Sequence, residues 1–83
     1  MSHELVAERL GRSIAAMRER RGLSKVQLAR MLGMTRQKVA EIEKGQLTVA
    51  FSYYCLMLSA LGCELEVIPK RLPTLEELPD IFA

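Results

Sequence analysis

A single histidine, His3, occurs in the 83-residue chain. No second imidazole is available to share a metal or relay a proton. The two cysteines, Cys55 and Cys63, lack CxxC spacing and sit among apolar residues, so they are expected to be buried free thiols rather than metal ligands. There is no glycine-rich phosphate loop and no carboxylate pair in an apolar setting. These absences argue against an enzyme, a metal site or a bound cofactor. No aromatic residue lies among the basic ones, which removes the stacking platform that single-stranded RNA recognition uses. No apolar run approaches the length of a membrane-spanning helix. The opening "MSHELVAERLGR" carries charges where a signal peptide needs an apolar core. The expectation is a cytoplasmic protein with no membrane partner.

What the chain does have is apolar content, 49% of its residues, in a length that makes one small domain. A chain this short buries a modest core, so tight helix packing or oligomerisation is expected, and some apolar surface is available for a partner. Its net charge of +2 is unevenly spread. Residues 1–45 hold ten Lys/Arg against five Asp/Glu, and residues 46–83 hold two against five. A basic N-terminal half points towards a polyanion.

Apolar residues Val6, Leu10, Ile14 and Met17 recur at helical spacing and predict a first helix over residues 4–20 with these four on one face. Gly22 ends it. The stretch "LSKVQLARMLGMTRQKVAEIEKG" then states one grammar twice. Ser24 caps a helix, with Gln27 completing a capping box and Leu23 placed to staple onto Leu28. Gly33 stops that helix. Thr35 caps the next one, with Met34 placed to staple onto Val39, and Gly45 closes it. A fourth helix is expected over about Val49 to Leu61, burying Phe51, Tyr54, Cys55, Leu58 and Leu61 and ending at Gly62. "CELEVIP" alternates apolar and acidic residues and reads as a short strand ended by Pro69.

Two short helices joined by a glycine turn make a helix-turn-helix. Ala29 is small where the helices cross, Gly33 permits the sharp turn, and Val39 and Ile42 lock the second helix onto the core. Its opposite face carries Arg36, Gln37, Lys38, Ala40, Glu41 and Lys44. In such motifs the first residues of the second helix meet base edges in the major groove. Arg36 suits guanine, Gln37 suits adenine, and Glu41 suits the amino group of cytosine or positions its neighbours.

The segment "RERRGLSKVQLARMLGMTRQKVAEIEKG" resembles the Xre or phage-repressor type of helix-turn-helix, over about residues 8–62. The resemblance implies an all-α fold, a compact bundle of four or five helices. It implies that Thr35, Arg36, Gln37 and Glu41 face the groove. It also implies that Lys25 and Gln27 meet the DNA backbone or groove edge, and that Lys38, Lys44 and Thr48 touch phosphates. Arg18 and Glu43 match the family's paired Arg and Glu. The residues agree, because each follows an inward-facing position (Met17 and Ile42) and a charge buried alone is costly. The chain departs from the pattern at Ala50, where a capping residue is expected, and Thr48 is the alternative cap.

The ending "ALGCELEVIPKR" looks like the HipB-like branch, whose members are dimeric DNA-binding antitoxins, often autorepressors of a toxin operon. Three segments are expected: a DNA-binding domain over 1–62, a dimerisation strand over 63–70 and an acidic apolar tail over 71–83. A lone strand has no partner for its backbone groups, so pairing with a second copy is expected, with Cys63, Leu65 and Val67 facing the helices. The resulting expectation is a homodimeric repressor of double-stranded DNA, with a toxin as a further partner. The alternative is a protein-interaction module or an antitoxin whose main task is to bind a partner protein.

Overall fold

The computed structural model describes residues 2–69. It contains four helices: α1 (His3–Arg20), α2 (Lys25–Leu32), α3 (Arg36–Glu43) and α4 (Phe51–Ala60). Local chemistry sets most of their ends. Ser2 Oγ accepts from the Leu5 amide at 3.3 Å. Ser24 Oγ accepts from the Gln27 amide at 3.0 Å, and the Ser24 amide donates to Gln27 Oε1 at 2.7 Å. That closes the capping box reciprocally and satisfies two otherwise orphaned donors. Thr35 Oγ1 accepts from the Lys38 amide at 3.0 Å.

α4 is the exception. Ala50 occupies its N-cap position and no side chain caps it, so Thr48 does not take the role.

Ile14, Leu28, Val39, Ile42 and Met57 are almost wholly buried and form the centre of the core. Each contributes roughly 1.5–3 kcal/mol relative to exposure. Ala29, Val49, Tyr54, Leu58 and Leu61 complete it, and Leu23 and Met34, the two stapling residues, pack against its edge. α3 is the middle element, packed on both α1 and α2.

Two glycines make the packing of α1 on α3 possible. A Cβ on Gly11 would stand 2.5 Å from the Glu43 carbonyl oxygen and 2.8 Å from the Gly45 nitrogen. Gly45 itself has φ of +72° and lies against the Ala7 backbone. A side chain there is excluded by conformation and by space.

The structure corrects several expectations. Val6 is 56% exposed, because the first turns of α1 overhang the core and border an open groove with Leu47 and Phe51. The buried face of α4 is Tyr54, Met57, Leu58 and Leu61, not the face through Phe51 and Cys55. Only two serines interrupt its otherwise apolar sequence, so the pattern has little contrast to set its rotation. Cys55 is therefore exposed and Cys63 half-buried, and neither is the buried thiol expected.

The strand over 63–70 is absent among the described residues. Residues 63–69 form no ladder with another described segment. Leu65 is half-exposed and Val67 fully so. The tail over 71–83 lies outside the described residues.

Candidate nucleic-acid interface

The turn between α2 and α3 fixes the direction of α3. Gly33 adopts φ of +67° and ψ of +31°, the left-handed cap that lets the chain reverse over three residues. The Met34 amide then donates to the Ala29 carbonyl at 3.0 Å. Ala29 is buried at the crossing, where a larger side chain would force the helices apart. Val39 and Ile42 are fully buried on α3, so the helix cannot roll without exposing both. Its opposite face is held outward by the same packing.

On that face Arg36 and Gln37 are exposed, in the first turn. Neither makes a side-chain hydrogen bond to a described residue. Their donors and acceptors are therefore available to a ligand. Thr35 is exposed, but its hydroxyl is engaged as the cap. Lys38 and Glu41 are turned towards each other, Nζ to Oε1 at 3.4 Å, and Lys38 lies over the Tyr53 ring at 5.0 Å. Both side chains are only about a third exposed, at 32% and 28%. Gln27 is exposed and spends its carbonyl oxygen on the Ser24 amide, which leaves its amide donors outward.

Lys25 and Lys44 come together across one open groove. Arg12 joins them, and Ala15, Ala16, Ala40, Glu19 and Glu43 complete its lining. Arg12 escaped the sequence reading because it sits off the apolar face of α1 with nothing to distinguish it from the other α1 arginines. Thr48 is placed differently. It shares a groove with Lys44 and with Glu4 and Glu8, whose carboxylates make that side poorer for a phosphate.

The frame beneath this surface is polar as well as apolar. Arg18 donates from Nε to Glu43 Oε2 at 2.7 Å, from Nη2 to Oε1 at 3.3 Å and from Nη1 to the Leu23 carbonyl at 2.7 Å. Both side chains are at most a tenth exposed. The hydrogen bond to Glu43 is the main cause that raises the Arg18 pKa, against the opposing effect of burial. One guanidinium thus joins α1, the start of the α2 cap and the end of α3. Tyr54 performs a similar task for the loop after α3, donating its buried hydroxyl to the Gln46 carbonyl at 2.8 Å. Burial raises its pKa. Nothing in the sequence marked that contact beyond the apolar position of Tyr54.

Among the described residues no group of histidine, cysteine and carboxylate side chains is placed to hold a metal, and no helix is long and apolar enough to cross a membrane. No curated protein matches the chain. A sequence profile described as "Helix-turn-helix domain" matches residues 1–69, which takes in every element of the fold. On that match, and on the α2–turn–α3 geometry beneath it, the chain belongs to the helix-turn-helix domain family.

Proposed function

We propose that this protein is a sequence-specific transcriptional regulator that binds double-stranded DNA through α3. Family membership supports the DNA-binding class. The observation that carries the reading is the unengaged pair Arg36 and Gln37 on a helix whose other face is locked by Val39 and Ile42. Arg36 matches the O6 and N7 acceptors of guanine, and Gln37 matches the N6 and N7 edge of adenine. Glu41, one turn on, accepts from the amino group of cytosine. Lys25, Lys44 and Gln27 position the motif on the phosphates, with Thr35 at the groove edge, and Arg12 adds a third charge to the groove of Lys25 and Lys44, while Thr48, beside Glu4 and Glu8, is the weaker phosphate contact.

The regulator acts as a homodimeric repressor on a palindromic operator. Residues 63–69 support this reading, since Leu65, Val67 and Ile68 leave apolar surface open on a segment that belongs to no helix or strand. Pairing this segment with its copy about a two-fold axis covers both. An autorepressing antitoxin, of the kind found in the Xre and HipB-like proteins, is the finer assignment. The competing reading, a module whose main partner is a protein, draws on the exposed Leu47 and Phe51 beside Val6.

A gel-shift salt series on genomic fragments tests the DNA reading. Binding that weakens steeply as salt rises, linearly in the logarithms, supports it. Affinity that holds unchanged from low to high salt removes it.

A further inference from the structure

Glu41 poses a problem for the DNA reading. A carboxylate on the exposed face of α3 approaches a duplex that carries one negative charge per about 1.7 Å of axis. At that range the repulsion is not screened, because the Debye length is about 8–10 Å. Glu43, the other acid of α3, is already neutralised by Arg18. Glu41 has its own cation at hand. Lys38 Nζ lies 3.4 Å from Glu41 Oε1 at i,i+3 spacing, and it sits 5.0 Å from the centroid of the Tyr53 ring. Two contacts from different elements thus hold the ammonium. One is the carboxylate on α3, and the other is the π face of a half-buried ring on α4. A lysine reaching for a phosphate extends into solvent, whereas this one is folded back and about two-thirds covered.

We infer that Lys38 is the counter-ion of Glu41 and not a phosphate contact, so that α3 presents a charge-neutral pair to the DNA. This rests on the proposed DNA binding. Lys38 is then a positioning residue that acts through Glu41. It cancels the repulsion of the carboxylate and fixes Oε1. Among the described residues no hydrogen bond occupies Oε2, which is left to accept from an exocyclic amine of the cytosine type.

The two roles for Lys38 separate on a non-cognate duplex, where binding is electrostatic and base reading plays no part. The full-length protein, Lys38→Met, Glu41→Gln and the double variant are titrated against a short mixed-sequence duplex over a salt series. Thermal unfolding of each shows that the fold is kept. Lys38→Met is expected to weaken binding on the order of ten-fold, because an uncompensated carboxylate then faces the phosphates. The double variant is expected to return to within about two-fold of the parent with the parental salt slope, since removing a neutral pair leaves the phosphate contacts intact. A double variant as weak as Lys38→Met, with a slope smaller by about one, makes Lys38 a phosphate contact and overturns the inference. Parental affinity in Lys38→Met overturns it also. A parent protein that binds no duplex at low salt removes the DNA reading itself, and the counter-ion role falls with it.

Discussion

Glu43 shows how one residue can be read from its neighbours. It follows inward-facing Ile42, and its partner Arg18 follows Met17, so both charges fall at the rim of the core, where neither is tolerated alone. The bidentate pair and the added bond to the Leu23 carbonyl complete that arithmetic. Glu43→Ala strands a nearly buried guanidinium and is expected to cost about 3–5 kcal/mol in urea unfolding. A midpoint equal to the parent's would mean the pair contributes nothing.

Tyr54 makes a prediction in pH. Burial raises its pKa above 10.0, its ordinary value. The folded state therefore holds a proton that the unfolded chain has begun to release. The contribution is complete below about pH 10 and is lost as pH rises through the folded pKa. Tyrosinate absorbance should show a late-titrating ring that Tyr54→Phe removes, and the variant should lose stability less steeply above that pH. If the ring lost in Tyr54→Phe titrates at the ordinary value of 10.0, Tyr54 lies in water. The seat of Lys38 on Tyr53, by contrast, could not be read from the sequence. The two residues lie on different helices, and a lysine's conformer leaves no periodic mark.

At the scale of elements, capping chemistry was the legible part. Ser24 with Gln27, and Thr35 alone, declare helix starts because a side-chain oxygen three residues before an amide has few other uses. α4 was less legible. Its sequence is apolar nearly all round, so its rotation was decided by what α2 offered in space, and Met57 turned inward where Phe51 had been expected. Its uncapped start is a place where stability can be added. Ala50 already has extended backbone angles, φ −60° and ψ 140°, so Ala50→Ser is expected to stabilise the fold by about 0.5–2 kcal/mol in chemical unfolding. No gain would show that the loop from Gln46 cannot place the hydroxyl on an α4 amide.

Gly11 works in the opposite sense. Alanine favours a helix interior by up to about 1 kcal/mol over glycine. Here, however, its Cβ would meet the Glu43 carbonyl and the Gly45 amide, both backbone. Gly11→Ala is expected to destabilise by about 1–3 kcal/mol net, through separation of α1 from α3. A raised melting temperature would show that the crossing is loose. The sequence showed Gly11 only as a weak point in a helix. The reason for it lies 32 positions away, at Glu43.

For the whole molecule, the basic half, the seated α3 and the family match converge on DNA. The segment after α4 carries the apolar–acidic alternation of a strand. A strand needs a ladder, and none is formed among the described residues. In the proposed function the first turn of α3 reads bases. The most direct test is selection of bound duplexes from a random pool by the parent protein, Arg36→Ala and Gln37→Ala. Each variant should enrich the parental site with preference lost at one base pair, a different one for each, worth about 1–3 kcal/mol at that position. If both variants instead weaken binding equally at every sequence, these side chains touch only phosphate, and the claim that α3 reads bases through them is contradicted.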